Sequence, residues 1–343
     1  MEAARKRMGN LNLSLKTKEP KPEVPVRGIR KVTEGEFARM YKLGGQVMES
    51  TNTGMDVLKA VRLSDGLPCV IKTRQRPLSF KSPQIEREWR RTTEVQLSMP
   101  PTERLCQFYE VLETDKMYYI VMEKVDGEDL FEVMGKMKPT VEDAREIVRQ
   151  TLEALDVLHK HGRIHKDLKI ENVMVDLPTA DSPKARQVIA ERRQTRGFGG
   201  GGASPASAKL IDFDTVEDWE PTSPKAKEVL GTDGYIAPEA YLGEYSPASD
   251  IYAAGVVMYK VLTGLFPMRD EMFDDAPGEN WVGSPSMRRI HERLKQEVIN
   301  FTVPPLDKDT AAADLLSRLL RFDAADRPSA EEALKHEWFF IKS

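Results

Sequence analysis

The run Ile164-His165-Lys166-Asp167-Leu168-Lys169-Ile170-Glu171-Asn172-Val173-Met174-Val175 enters on an apolar residue, carries charge through its middle and leaves on an apolar strand-like stretch. A segment of this kind reads as a loop held rigid by two buried strands. Its polar members are a carboxylate (Asp167), a lysine two residues on (Lys169) and a carboxamide five residues on (Asn172). A carboxylate accepts a proton from a hydroxyl, an ammonium neutralises phosphate, and a carboxamide oxygen ligates a hard cation.

The chain has 343 residues, enough for two lobes that each bury a core. With 40% hydrophobic and 31% charged residues, its composition is that of a soluble globular protein. The formal net charge of −4 gives no global attraction to nucleic acid or to anionic membranes, so neither is expected as a partner. No apolar run reaches the roughly 18 residues of a membrane span, and the N-terminal segment lacks an apolar signal core. Cys69 and Cys106 both sit in apolar surroundings and read as buried free thiols of a reducing compartment. A cytoplasmic location is expected, with the nucleus as the alternative.

Residues 1–36 form a basic, Pro-containing tail without sustained periodicity, expected to be disordered. Strand-like runs follow at Val57–Arg62 and Pro68–Lys72, joined by a turn at Ser64-Asp65-Gly66. A Glu- and Arg-rich helix is expected over 83–99, stopped by Pro100-Pro101, then strands near Cys106–Glu113 and Met117–Glu123. After Val125 the pattern turns helical, with helices expected at 140–161, 248–264, 284–299, 309–320 and 329–336. The exception is 177–208, a Gly-, Ser- and Arg-containing flexible insertion between two strands. The tail and this insertion are the places where a regulatory partner is expected.

With the motifs around it, the opening run resembles the catalytic loop of eukaryotic protein kinases, H-R-D-L-x-x-x-N, with Lys166 in place of the arginine. In family order come Cys69-Val70-Ile71-Lys72, Tyr119-Ile120-Val121-Met122-Glu123-Lys124-Val125, Lys209-Leu210-Ile211-Asp212-Phe213-Asp214, Gly231-Thr232-Asp233-Gly234-Tyr235-Ile236-Ala237-Pro238-Glu239 and Asp326-Arg327-Pro328. The resemblance spans roughly residues 40–340, and several motifs in order are far more specific than one. Lys169 and Thr232 resemble the serine/threonine type. His336-Glu337-Trp338-Phe339 resembles the end of the calcium/calmodulin-dependent group.

The resemblance implies an α+β, two-lobed kinase fold. A small β-rich N-lobe with one main helix would occupy 37–124, and a larger, mainly helical C-lobe 125–343. It implies ATP and Mg²⁺ as cofactors and a protein with Ser or Thr as substrate. Asp167 would be the catalytic base, Lys169 would steady the transferring phosphate, and Lys72 would contact the α- and β-phosphates. Lys72 would pair with a helix glutamate, Glu94 by its spacing to Leu97, with Glu86 and Glu88 as rivals. Asn172 and Asp212 would hold Mg²⁺. Met122, the backbone of Glu123 and Val125, Asp129, Val57 and Met174 would line the nucleotide site. Phe213 would pack beneath Asp212, His165 beneath the loop. Thr232 would bond to Asp167 and Lys169, Glu239 would pair with Arg327, and Asp250 would hold the loop backbone.

Three departures from the family pattern stand out. Where the phosphate-clamping loop calls for glycines, this chain has Ser50, Asn52 and Met55; Gly54 is one place off and Gly44-Gly45 falls too early. Loss of one charge-assisted bond there would weaken ATP binding by roughly ten- to a hundredfold. Asp214 stands where the metal-binding motif has glycine, adding charge and removing conformational freedom. Lys166 keeps a positive charge without the bidentate fork of arginine, and Glu228 is its expected partner. The complete set of charged residues favours an active serine/threonine kinase. The missing glycines and Asp214 favour the alternative, a pseudokinase that binds or scaffolds.

Overall fold

The structure, a computed structural model, describes residues 27–48, 53–178, 187, 205–273 and 278–341. The first lobe comprises β1 (Arg30–Lys31), α1 (Glu34–Met40), β2 (Tyr41–Met48), β3 (Met55–Arg62), β4 (Pro68–Gln75), α2 (Arg76–Ser79), α3 (Pro83–Leu97), β5 (Phe108–Glu113) and β6 (Met117–Glu123). Its strands form one six-stranded sheet in the order β1-β5-β6-β4-β3-β2. All neighbours are antiparallel except β1 and β5. Gly44 and Gly45 lie inside β2, not at its end, where the register against β3 shifts between Leu43 and Gln46. A side chain on Gly44 would stand 3.2 Å from the Lys59 carbonyl oxygen, a tight contact that favours a small residue at the bulge.

The folded lobe begins upstream of the boundary set at Phe37. Arg30–Lys31 pair with Leu112–Glu113, and Thr33 and Glu36 form a capping box that starts α1. Phe37, the buried residue of α1, stacks on Tyr119 with ring centres 3.7 Å apart. Charged composition masked this helix because a single aromatic anchors it. Residues 1–26 of the tail, and nearly all of 179–204 in the insertion, lie outside the described residues.

The second lobe contains β7 (Glu128–Asp129), α4 (Leu130–Lys136), α5 (Val141–Lys160), β8 (Arg163–Ile164), β9 (Val173–Asp176), β10 (Ser207–Leu210), β11 (Glu217–Asp218), α6 (Pro247–Thr263), α7 (Pro285–Gln296), α8 (Thr310–Leu319) and α9 (Ala330–Ala333). α6 is capped by Ser246, begins with proline and ends at Gly264 in the left-handed region (φ 81°). It is apolar almost all round and correspondingly buried from Ser249 to Tyr259. α5 packs its apolar stripe, including Ile147, Leu152, Leu155 and Leu158, into the same core.

Two small ladders fix the loops. β9 pairs antiparallel with β10, Val173 opposite Leu210, which brings Asn172 beside the residues that follow β10. β8 pairs with β11, Ile164 opposite Glu217, which brings the second residue after Ile164 beside that carboxylate. No described helix is long and apolar enough to cross a membrane.

Candidate active site

The loop between β8 and β9 presents its polar groups as a closed set of contacts. The Thr232 hydroxyl donates to Asp167 Oδ1 at 2.8 Å. Lys169 Nζ donates to that hydroxyl at 2.8 Å and lies 3.2 Å from Asp167 Oδ2. Asn172 Nδ2 donates to the Asp167 carbonyl at 2.8 Å, closing the loop on itself. Beneath it, His165 is fully buried and meets Phe213 edge-on. Burial holds the His165 imidazole below its ordinary pKa, so it stays neutral and its Nδ1 accepts the Asp167 N–H.

The loop backbone is anchored from α6. Asp250 accepts the N–H groups of His165 at 2.8 Å and Lys166 at 2.9 Å, and meets His159 Nε2 at 2.9 Å. Burial opposes its charge, but the bond from His159, the nearby histidines and the His165 N–H keep the Asp250 carboxyl below the usual range. Lys166 takes a left-handed backbone, φ 70°, which costs a non-glycine residue about 1–2 kcal/mol. The two bonds to Asp250, from the N–H of His165 and from that of Lys166 itself, offset the strain.

Lys72 does not pair with α3. Its ammonium lies 3.1 Å from Asp212 Oδ1 and 2.6 Å from Asp214 Oδ2. Burial disfavours the ammonium, but the carboxylates of Asp214 and Asp212 outweigh it and hold the Lys72 pKa above its ordinary value. Arg74, two residues along β4 on the same face, also donates to Asp214 Oδ2 at 2.9 Å. The expected partner, Glu94, makes no side-chain hydrogen bond or ion pair among the described residues. Its rivals are engaged elsewhere: Glu86 by Arg76 and the Tyr118 hydroxyl, Glu88 by Gln84. The buried face of α3 carries Trp89, Thr93, Gln96 and Leu97, a helical stripe that excludes all three glutamates.

The oxygens available to a cation are those of Asp212 and Asn172. Asp212 (φ 57°) uses Oδ1 for Lys72 and for the Asp214 N–H, which leaves Oδ2 without a partner among the described residues. Its side chain is 41% exposed, whereas Asn172 is buried. The Ile211 N–H donates to the Asn172 carbonyl at 2.9 Å, tying the two positions together. One carboxylate and one carboxamide, all hard oxygen donors, fit Mg²⁺, which typically takes one or two protein carboxylates and completes its shell with phosphate and water.

Above this set, Val57 on β3 stands opposite Lys72 on β4. Met122 and Glu123 end β6, and no backbone hydrogen bond occupies Val125 among the described residues. The Glu123 N–H is already bonded to the Gln107 carbonyl, and its own carbonyl accepts the weak Cys106 thiol donor at 3.7 Å. Asp129 stands opposite Met174 in the β7–β9 ladder and caps α4 through the Glu132 N–H. Gly54 adopts φ 75° and packs on α2, its carbonyl accepting from the Gln75 N–H and the Ser79 hydroxyl. Ser50 and Asn52 lie outside the described residues.

The family model described as protein kinase domain matches residues 53–339. The chain belongs to the eukaryotic protein kinase family. Calcium-dependent protein kinase 4 of Plasmodium berghei (strain Anka) is 29% identical over 236 residues, covering 68% of this chain and 38% of that protein. The hormonally up-regulated neu tumor-associated kinase of Mus musculus is 27% identical over 315 residues, 91% of this chain and 36% of that protein. Calcium-dependent protein kinase 14 of Arabidopsis thaliana is 25% identical over 313 residues, 90% and 51%. This kinase chain thus spans between about a third and a half of the length of these relatives.

Elsewhere in the kinase fold, Glu239 and Arg327 form a bidentate pair at 2.8 and 2.9 Å, with the Arg327 side chain 0% exposed. Lys166 does not meet Glu228, which is exposed and bridges through its backbone to Trp281. Its ammonium meets Glu217 Oε2 at 2.8 Å, because the β8–β11 ladder delivers that carboxylate first. Sequence reasoning passed over Arg74, Gln96 and Glu217. Arg74 had a signal, a second cation on the Lys72 face of β4. Gln96, whose amide donates to the Phe213 carbonyl, had its place in the buried stripe of α3. Glu217 had none, since its partner is 51 residues away.

Proposed function

We propose that this kinase transfers the γ-phosphate of ATP to a serine or threonine hydroxyl of a protein, with Mg²⁺. The observation that carries the reading is the Asp167–Thr232–Lys169 set, with contacts of 2.8, 2.8 and 3.2 Å. In it a carboxylate able to take a hydroxyl proton sits against an ammonium able to neutralise phosphate. Asp167 orients the attacking hydroxyl and accepts its proton. Lys169 balances charge on the transferring group, and Thr232 keeps the two side chains in register. Lys72 serves the α- and β-phosphates. Asp212 and Asn172 hold the metal, which when bound neutralises charge on the phosphate oxygens. Val125, Glu123 and Met122 receive the adenine, Asp129 the ribose, and Met174 and Val57 close on the base.

A second reading, a kinase-fold scaffold without phosphotransfer, draws on the ion pairs that hold Lys72 to Asp212 and Asp214. One experiment separates the two. Purified protein is titrated with ATP and Mg²⁺ in a thermal-shift assay. It is then incubated with mixed protein substrates and radiolabelled ATP, followed by phosphoamino-acid analysis, beside Asp212→Asn. Label on serine or threonine that the variant fails to give supports the kinase. No nucleotide-dependent shift and no label would reject it.

A further inference from the structure

We propose that Asp214 has taken over from the helix glutamate the task of positioning Lys72, and that Arg74 and Trp89 tie this substitute back to α3. The role rests on the kinase reading; the contacts stand without it.

Asp214 Oδ2 receives two cations at once, Lys72 at 2.6 Å and Arg74 at 2.9 Å. Residues two apart on a strand share a face, so one carboxylate beside β4 can hold both. α3 offers no competitor, because its buried stripe is Trp89, Thr93, Gln96 and Leu97. The motif carries a carboxylate in place of the family's glycine, and the stripe of the helix carries none.

In the protein-kinase pattern an ion pair between the strand lysine and a helix glutamate links the helix to the lysine. Here the link has another route. The Arg74 guanidinium lies 5.2 Å from the Trp89 ring centre and 5.6 Å from that of Phe80, with its side chain 13% exposed. Cation–π attraction at a desolvated site holds a guanidinium in place. Trp89 belongs to α3, so the helix grips Arg74, Arg74 grips Asp214, and Asp214 grips Lys72. α3 also touches the metal motif directly through Gln96 and the Phe213 carbonyl. The extra negative charge beside the metal position is therefore balanced by a protein cation, Arg74, rather than left to recruit a second metal ion.

The test reads Lys72 itself, without nucleotide. The full chain is treated with a water-soluble N-hydroxysuccinimide ester, and acylation of Lys72 is followed by peptide mass spectrometry. The variants are Asp214→Asn, Asp214→Gly, Arg74→Ala and Asp214→Gly combined with Thr93→Glu. Melting by circular dichroism checks each for folding, and calorimetry gives the Kd for Mg-ADP. Labelling is expected to rise about tenfold in Asp214→Asn and Asp214→Gly, the worth of one charge-assisted bond, and less in Arg74→Ala. Thr93→Glu, which puts a carboxylate on the buried stripe of α3, is expected to bring labelling and Kd back toward wild type. A purely structural Asp214 would not be rescued from another element. Labelling at the wild-type rate in both Asp214 variants, or no rescue in a folded double variant, overturns the proposal. Should Asp214→Gly melt too early, Asp214→Asn, nearly isosteric, decides. Wild-type protein that transfers no phosphate yet gives this labelling pattern would reject the kinase activity and support the positioning.

Discussion

The Lys166 ammonium lies 2.8 Å from Glu217 Oε2, the lysine side chain 3% exposed and the glutamate 51%. Phosphorylation orders loops in protein kinases by pairing an added phosphate with a cation; here a carboxylate encoded five residues after Asp212 already meets Lys166. Unphosphorylated protein made in bacteria is therefore expected to be active, as judged by mass spectrometry and a phosphotransfer assay side by side. Glu217→Gln keeps an acceptor oxygen but removes the counter-charge of Lys166, which also lies 4.5 Å from the Tyr245 ring centre. Since Glu217 is half-exposed, the loss is set at about 1–2 kcal/mol, a roughly five- to thirtyfold fall in kcat. Total dependence of the wild type on an added upstream kinase would sink this account.

Asp212→Asn removes charge and keeps shape. Oδ1 loses part of its hold on Lys72, and the unpartnered Oδ2 position can become an amide that repels a cation. Transfer is expected to fall by roughly 10²–10³, the effect of losing one preorganised electrostatic contact to a developing charge. Stability should stay within about 1 kcal/mol, because the side chain is 41% exposed. A chelator should stop the wild-type reaction and an excess of Mg²⁺ restore it. A variant that melts far below wild type would show that Asp212 holds the lobes together instead.

What could be read from the sequence was what local pattern determines. The order Asp167, Lys169, Asn172, Asp212 pointed to the candidate site, and apolar period placed α5 and α6 to within about a residue at each end. Glu239–Arg327 and the grip of Asp250 on the loop followed from motif identity. The two wrong ion pairs share a cause. Lys72 chose Asp212 and Asp214, 140 and 142 residues away, over a glutamate on α3; Lys166 chose Glu217 over Glu228. Each cation had several acids in range along the chain, and only the path of the intervening backbone ranked them. α1 was legible in principle, since Thr33 and Glu36 spell a capping box. Averaged over a charged tail, that signal disappeared.

The Glu239–Arg327 pair should matter more to stability than any surface charge. Arg327 is fully enclosed and also donates to the carbonyls of Arg321, Phe322 and Ala248. Removing one member leaves the charge of the other buried without its counter-ion. Glu239→Gln or Arg327→Ala is expected to cost about 3–5 kcal/mol, lowering Tm by roughly 4–7 °C in a chain of this length. Differential scanning calorimetry measures this directly. A loss below about 1 kcal/mol would place the pair with the weakly coupled surface bridges, such as Lys335–Glu331.

Acid should loosen this protein through two buried groups that act in the same direction. His165 stays neutral in the fold because burial lowers its pKa from the ordinary 6.5. Below that value the unfolded chain binds a proton that the folded chain refuses, so stability falls by up to about 1.4 kcal/mol per pH unit from this group. Asp250 is the converse chemical type with the same sign. Its folded pKa lies below the ordinary 3.8, so its contribution is present above that value and is lost as pH falls toward the folded pKa. Urea unfolding from pH 8 to pH 3 should give a stability curve that bends down near pH 6.5 and steepens below about pH 4. In Asp250→Asn the backbone N–H groups of His165 and Lys166 lose a charged acceptor. That variant should be weaker by about 2–4 kcal/mol at pH 7, with its deficit constant down to about pH 4 and shrinking below it. A deficit that stays the same at pH 3 would mean that the Asp250 charge contributes nothing and that only its shape holds the loop.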